Sequence, residues 1–235
     1  MKLAIMQPYF CPYIGYFQLI NSVDKFVIYD DVQYIDDGLI NRNRILIQKK
    51  KPYMFTLSVK NDSHTLDINQ RYYIDNIDRE KNKIMKTIKQ SYIKASYYEK
   101  AIGLIDKLFN IDELNVSKMN TKSLEMICDY LDIDTEIIVN SNLNCKDYNL
   151  DGQERVIKIN KCLGSDQYIN SIGGQKLYSK SSFEDESIKL NFIETKDVVY
   201  EQFNNGFVPN LSIIDVLMFN SKNKINDLLN QYELI

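Results

Sequence analysis

The sequence has no tryptophan and a single histidine, and it is poor in the residues that interrupt regular structure. Its 235 residues include only 8 glycines and 4 prolines. Few loops therefore depend on special backbone angles, and no proline-rich linker divides the chain. We expect one domain over residues 1–235, with a mainly helical segment at about 78–131, rather than two independent domains.

Long hydrophobic runs are also missing. No apolar segment reaches the about 18 residues that cross a bilayer. Polar residues interrupt the short apolar start, which is not the form of a secretory signal. These two absences predict no membrane span and favour a cytoplasmic location.

Cysteine is sparse and scattered. No two of Cys11, Cys128, Cys145 and Cys162 have the spacing of a metal-binding pair, and His64 is the only histidine. We therefore expect no zinc site. For a cytoplasmic chain, this pattern also predicts reduced thiols.

The chain has no excess of positive charge. With 29 basic and 32 acidic residues its net charge is −3, whereas DNA-binding domains are usually basic. The clearest basic run is the lysines at 49–51. Because Pro52 follows them, this run predicts a solvated turn between two strands rather than a nucleic-acid patch. We expect no DNA partner.

Apolar spacing predicts an α/β protein with a Rossmann-like sheet core and a helical insert. Short apolar or alternating runs predict strands at residues 2–7, 26–29, 40–47, 53–59, 66–68, 135–139, 168–169 and 190–193. Helical spacing predicts helices at 16–22, 78–93, 97–109, 115–131, 153–163 and 212–220, and at the end of the chain.

Polar and aromatic side chains gather where the first two strands end. In α/β sheets, ligands bind at the carboxyl ends of strands. The candidates for substrate binding after the first strand and in the loop that follows it are Gln7, Tyr9, Tyr13, Gly15 and Tyr16, and those after the second strand are Gln33 and Tyr34. Asp30 and Asp31 are candidate catalytic carboxylates, which accept an amine proton or hold a metal with ATP, unless they only cap the strand.

Two further segments carry candidates. In the predicted strand at 40–47, Arg42 and Arg44 share a face that suits a diphosphate, unless they form surface ion pairs, and Asn41 lies on the other face. Gly173 and Gly174 form either an anion-binding nest or a turn.

Three other side chains have a functional and a structural interpretation. His64 is a candidate general base, although its polar loop also fits an exposed, idle histidine. Cys11 is interpreted as a packing residue and Ser212 as a helix N-cap rather than as nucleophiles, since no partner base accompanies either.

The motifs together resemble the WbqC-like protein family over nearly the whole chain. The resemblance rests on the segments at 7–10, 12–17, 29–34, 41–44, 171–174, 177–178 and 210–215. It implies a gene neighbourhood of bacterial surface polysaccharides and transfer of glycine to amino sugars. The chain departs from the family pattern at Lys83, Met85 and Ser179, so no family role transfers to those positions.

A fainter resemblance is to the nucleotidylyltransferase and pantothenate-synthetase group. Tyr13 and Tyr16 stand where that group has the two histidines of His-x-Gly-His, and the segment at 178–181 is similar to its lysine-bearing phosphate loop. This resemblance implies ATP with Mg²⁺, but the residues themselves leave the cofactor open.

The combined expectation is an aminoacyl (glycyl-type) transferase or ligase of O-antigen biosynthesis. Its substrate is a nucleotide-linked amino sugar, and its donor is a small amino acid. In this interpretation the tyrosines, the two aspartates and the two arginines meet in one cavity. The alternative is a non-catalytic sugar-nucleotide-binding or scaffold protein of the same pathway.

Overall fold

The computed structural model describes residues 1–47, 51–145, 150, 152–196, 198–203 and 206–235. The strands are β1 (Lys2–Met6), β2 (Lys25–Ile28), β3 (Arg42–Ile47), β4 (Lys51–Thr56), β5 (Glu136–Val139), β6 (Gln167–Ser171), β7 (Lys189–Thr195) and β8 (Tyr232–Leu234). The α-helices are α1 (Ile14–Asn21), α2 (Ile77–Tyr92), α3 (Tyr98–Phe109), α4 (Val116–Leu131), α5 (Gly152–Leu163), α6 (Lys180–Glu184), α7 (Ile213–Phe219) and α8 (Lys222–Leu229). None of the described helices is long and apolar enough to cross a membrane.

Six strands form the central sheet in the order β5-β2-β1-β6-β7-β8. All neighbours are parallel except β7 and β8. Numbered by their succession within this sheet, the strands run 3-2-1-4-5-6, which is the order of a Rossmann-like fold. The predicted α/β class is therefore confirmed. The strand order reverses between β1 and β6, and ligands of such sheets bind at this switch point.

The sheet is covered on both faces. Leu3 and Ile5 of β1 pack in a cluster with Val156 of α5 and Phe183 of α6. Ala4 belongs to a larger cluster on the other face, with residues of α1, α4, α7 and α8. Because successive side chains of a strand point to opposite faces, a continuously apolar strand such as β1 fits only a sheet covered on both sides.

The helices α2, α3 and α4 occupy the segment for which a helical insert was predicted. The α4 boundary follows from local chemistry, since the Asn115 side chain accepts a hydrogen bond from the Lys118 backbone N–H and caps the helix. β3 and β4 pair as an antiparallel hairpin, as predicted, although Lys49 and Lys50 of the expected turn lie outside the described residues. The expectation of one domain stays a prediction.

One predicted element is wrong, and another is incomplete. Residues 66–68 do not form a strand: Asp67 caps a short 3₁₀ helix, Ile68–Gln70, and makes one isolated bridge with Gln33. The helix predicted at the end of the chain is α8, but the short strand β8 follows it and was not predicted. β8, which pairs with β7 at the edge of the sheet, has only three residues. That is too few for an alternation of apolar and polar side chains to be recognised in the sequence.

The expected reduced state of all four cysteines is also wrong. Cys145 and Cys162, separated by 17 positions, form a disulfide. Cys11 and Cys128 are free and buried. The pairing brings the segment after β5 against α5, a contact that cysteine spacing does not encode. The cytoplasmic location stays a prediction.

A buried carboxyl group joins α7 to two other parts of the larger core. Asp215 Oδ1 accepts from the Tyr92 hydroxyl at 2.7 Å, and Oδ2 accepts from the Tyr200 hydroxyl and Gln202 Nε2, both at 2.7 Å. Burial raises the pKa of Asp215 from 3.8 to about 6, although these three hydrogen bonds lower it. The folded protein therefore holds the proton of Asp215 more tightly than the unfolded chain does.

This pKa predicts how stability changes with pH. Because the folded-state pKa lies above the unfolded one, the contribution of the neutral Asp215 carboxyl is complete below about pH 4 and is lost as the pH rises through about 6. Asp215→Asn stays neutral throughout. We expect the free energy of unfolding of the wild type to fall, relative to that of Asp215→Asn, by roughly 3 kcal/mol over this interval. Urea unfolding at several pH values measures this difference, and a pH-independent difference would contradict the assignment.

Candidate functional site

A cavity of about 830 Å³ lies at the carboxyl ends of β1, β6 and β7. It is therefore at the switch point of the sheet, where ligands of Rossmann-like proteins bind. Its wall includes Tyr9, Tyr13, Gly15, Tyr16, Arg44 and Glu194. Five of these six residues come from the sequence-based candidates. We call this space the switch-point cavity.

The tyrosines of the loop between β1 and α1 are held by one another and by β1. The Tyr16 hydroxyl donates to the Gln7 carbonyl at 2.7 Å, and the Tyr9 and Tyr16 rings lie 5.6 Å apart. Burial raises the pKa of Tyr9 and Tyr13 and raises that of Tyr16 well above 10. At neutral pH all three are therefore uncharged, and they offer ring surface with a hydroxyl at the tip.

The same loop is irregular yet buried, so its backbone groups need partners from elsewhere. The Cys11 carbonyl accepts from Asn43 Nδ2 at 2.8 Å and from Ser212 Oγ at 2.6 Å. The Pro8 carbonyl accepts from Asn120 Nδ2 of α4 at 3.0 Å. Cys11 itself has φ 46 and no exposed surface, in agreement with a packing role.

Gly15 sits where α1 begins, next to β7. A Cβ added there would lie 2.9 Å from Thr195 Oγ1 and 3.2 Å from the Tyr13 ring. Thr195 Oγ1 also donates to Gln18 Oε1 at 2.7 Å. Gly15 therefore permits the close approach of α1 and β7 that shapes the floor of the switch-point cavity.

The structure separates the two arginines of β3. Arg44 lines the switch-point cavity, and its Nη2 donates to the Asn210 carbonyl at 3.0 Å. Arg42 pairs with Asp37 at 3.0 Å and donates to the Gly38 carbonyl at 2.8 Å. The Asn41 amide is buried and donates to the Leu57 carbonyl. The geometry therefore offers Arg44, and not an Arg42–Arg44 pair, to an anion in this cavity.

The two aspartates lie away from the switch-point cavity. Asp30 lines a separate cavity and accepts hydrogen bonds from Ser117 and Ser141. Asp31 is buried and forms a salt bridge with Arg155 at 3.2 Å, and it accepts from Asn140 Nδ2 at 2.6 Å. The predicted convergence of these carboxylates with the tyrosines and arginines therefore does not occur.

Three other candidates, His64, Gln33 and Tyr34, are placed by structural contacts. His64 is exposed and pairs with Asp36, and its backbone carbonyl accepts from Gln33 Nε2 at 2.9 Å. Tyr34 is buried beneath Arg71, whose guanidinium lies 4.8 Å from the ring centroid. The predicted roles of His64 as a general base and of Gln33 and Tyr34 in substrate binding stay predictions.

The glycine pair belongs to the short 3₁₀ helix Ile172–Lys176, whose first residue lines the switch-point cavity together with Ser171. Gly174 is buried, and a Cβ there would lie 3.1 Å from the Asn170 side chain. The pair thus shapes the turn after β6, while the role as an anion nest stays a prediction.

Sequence reasoning missed Glu194 and Thr195, which bring the end of β7 to the switch-point cavity. Glu194 forms a salt bridge with Lys196 at 2.6 Å. The apolar run at 190–193 was predicted as a strand, so the rule that places ligand groups at strand ends would have identified the next residue, Glu194. Among the described residues, no group of three or more His, Cys, Asp or Glu side chains is arranged to hold a metal ion.

The fold defines the chain as a Rossmann-like α/β protein, and the cavity described above lies at the switch point of its sheet. The model of the WbqC-like protein family matches residues 7–227, and the chain belongs to that family. It is also similar to the uncharacterized protein Rv1507c of Mycobacterium tuberculosis (strain ATCC 25618 / H37Rv), with 29% identity over 220 residues that cover 92% of each chain. No solved structure matches the chain significantly.

Gly15 allows a test of the shape of the switch-point cavity. In Gly15→Ala, the new methyl group must displace Thr195 or Tyr13, so we expect the free energy of unfolding to fall by about 1–2 kcal/mol. The matched control is Gly103→Ala in α3, where nothing lies within 4 Å of the added Cβ. There we expect a gain of about 0.5–1 kcal/mol from helix propensity. Denaturant unfolding of both variants measures the contrast, and equal shifts would contradict it.

Proposed function

We propose that the protein binds a nucleotide-linked amino sugar in the switch-point cavity and transfers an aminoacyl group, of the glycyl type, to the sugar's amine. One observation carries the proposal: three tyrosines, an arginine and a carboxylate line a single cavity at the switch point of a Rossmann-like sheet. Membership of the WbqC-like family agrees with it, because the sequence resemblance implies glycine transfer in O-antigen and other surface-polysaccharide pathways.

Each group has a defined part in binding. The Arg44 guanidinium contacts the diphosphate, to which it makes charge-assisted hydrogen bonds. The Tyr9 and Tyr13 rings stack on the base or the sugar, and their neutral hydroxyls hydrogen-bond its polar edges. The Asn43 side chain also lines the cavity, but its amide nitrogen is engaged by the Cys11 carbonyl and so holds the loop instead.

The chemical step requires a proton acceptor. The sugar amine attacks the acyl carbon, the new C–N bond forms, and the bond from that carbon to the donor's leaving group breaks with its electron pair. The amine then loses a proton. Glu194 is the carboxylate that lines this cavity, so the proposal assigns the proton to Glu194 rather than to Asp30 or Asp31. The proposal leaves open whether ATP with Mg²⁺ or a carrier activates the donor.

The two arginines of β3 test the proposed binding of the diphosphate. We expect Arg44→Ala to weaken the binding of UDP and dTDP about tenfold or more, because a charge-assisted contact to phosphate is lost. Arg42→Ala, on the same strand but paired with Asp37, serves as the control and should change affinity little. Isothermal titration calorimetry measures both. Equal losses in the two variants would remove Arg44 from the proposed site.

Glu194 tests the catalytic part. Wild-type protein incubated with a UDP- or dTDP-linked amino sugar, glycine and ATP, or with glycine already activated on a carrier, should yield the amide, detected by mass. We expect Glu194→Gln to lower kcat about 100-fold with little change in sugar-nucleotide affinity. Glu233→Gln is the matched control, because Glu233 shares the salt bridge to Lys196 but comes from β8. Equal losses in the two variants would show that the salt bridge, and not proton transfer, is what matters.

The second candidate function is non-catalytic binding of the same sugar nucleotide. The observation that favours it is that Asp30 and Asp31, the expected catalytic pair, form buried bonds to other side chains. Both candidates predict sugar-nucleotide binding that depends on Arg44. Binding without an amide product under every donor tried would favour the second.

A further inference from the structure

A second cavity, of about 520 Å³, is left unused by the proposed function. It lies between the ends of β2 and β5 and the first two turns of α4. Its wall includes two carboxylates, three hydroxyls and two ammonium groups, from Asp30, Glu113, Ser117, Thr121, Ser141, Lys118 and Lys122. One oxygen of Glu113 accepts from the backbone N–H groups of Leu114 and Asn115. The described residues that line it are all different from those of the switch-point cavity. We call it the α4 cavity.

Asp30 gives one end of the α4 cavity the character of a hydrogen-bond acceptor. It is 2% exposed, and its Oδ2 accepts from Ser117 Oγ at 3.1 Å and from Ser141 Oγ at 2.8 Å. Because the carboxylate takes the hydrogen of each hydroxyl, both serine oxygens keep only lone pairs to offer a ligand. This end therefore suits a cation or a hydrogen-bond donor.

Lys118 and Lys122 give another part of the wall positive charge. Lys118 and Lys122 are one helical turn apart on α4, so they lie on the same side of the helix. Both side chains are exposed, and neither forms a salt bridge with a described residue. Two ammonium groups that form no salt bridge with a described residue, on the wall of a cavity, favour a ligand that carries a carboxylate.

A buried hydroxyl on the same helix, that of Thr121, has no hydrogen-bond partner among the described residues. The residue as a whole is 6% exposed. A buried hydroxyl without a partner is unfavourable, and proteins rarely keep one without a reason. Thr121 is among the residues that line the α4 cavity, between the positions of Ser117 and Lys122 on α4.

We propose that the α4 cavity binds a free α-amino acid as its zwitterion, with the ammonium group toward Asp30 and the carboxylate toward Lys118 and Lys122. An inorganic anion alone would face Asp30, and a simple cation would face the lysines, whereas an α-amino acid carries both charges on adjacent atoms. The volume leaves room for a side chain. This site goes beyond the proposed function and stands or falls independently of it, since it requires binding and no turnover.

Calorimetry on the full chain tests the charge requirement. Glycine, L-alanine, L-serine and L-glutamine are titrated first, followed by the amide and the N-acetyl derivative of the tightest of them. The amide lacks the carboxylate and the N-acetyl derivative lacks the ammonium group, so we expect each to bind at least about tenfold more weakly than the zwitterion. Equal binding of either derivative, displacement by inorganic phosphate, or no binding of any amino acid at millimolar concentrations would overturn the proposal.

Variants then locate the site. Lys118→Gln/Lys122→Gln should weaken binding of the amino acid but not of its amide, and Lys83→Gln/Lys94→Gln, at exposed lysines on and after α2, is the matched control. Thr121→Val should weaken binding while raising the unfolding temperature of the ligand-free protein, because an unpaired hydroxyl is removed. Unchanged affinity in both the Lys118→Gln/Lys122→Gln and Thr121→Val variants would exclude this cavity.

A further variant separates this proposal from the proposed function. Arg44→Ala, which is expected to lose nucleotide binding, should keep its affinity for the amino acid, because Arg44 lines the other cavity. Loss of amino-acid binding in Arg44→Ala would place the amino acid in the switch-point cavity and overturn the inference. Amino-acid binding without any amide product would refute the transferase and leave the inference intact.

Discussion

The architecture depends on satisfying the backbone of one irregular, buried loop. Residues 7–13 run through the core without forming a helix or a strand, so their carbonyl groups cannot be paired by regular secondary structure. Asn120 of α4, Asn43 of β3 and Ser212 at the start of α7 donate to Pro8 and Cys11. Each of these donors fixes one element of the molecule relative to the loop, and the tyrosines that line the switch-point cavity are fixed with it.

The same constraint explains why two polar motifs occur where they do. Asn43 belongs to the Asn-Arg-Asn-Arg segment, and its amide holds the loop while the neighbouring Arg44 lines the cavity. Ser212 belongs to the 210–215 segment, in which Asp215 accepts three buried hydrogen bonds from Tyr92, Tyr200 and Gln202. A buried polar group is unfavourable unless it is fully hydrogen-bonded, so each such residue constrains several others.

The parts of the fold that depend on local sequence could be predicted. The parts that depend on pairing between distant segments could not. The start of α4 follows from the Asn115 cap, and the continuous apolar character of β1 indicates a sheet covered on both faces. β8 and the Cys145–Cys162 disulfide depend on contacts between distant segments, for which the sequence has no local signal. For the candidate site, strand ends indicated the edge of the sheet at which both cavities lie, but not which cavity each side chain would line. Asp30 and Tyr9 follow neighbouring strands, yet they line different cavities.

Helix α4 connects those two cavities physically. Asn120 donates to the Pro8 and Ile40 carbonyls and accepts from the Tyr73 hydroxyl, so this face of α4 holds the segment that leads to Tyr9. The next residue, Thr121, lines the α4 cavity, and Ser117 one turn earlier bonds Asp30. A rotation of α4 that improved contacts to an occupant of the α4 cavity would therefore strain the Asn120 bonds to the loop. If an occupant of the α4 cavity moved this helix and so changed the affinity of the switch-point cavity, linkage would require the converse effect to be equal.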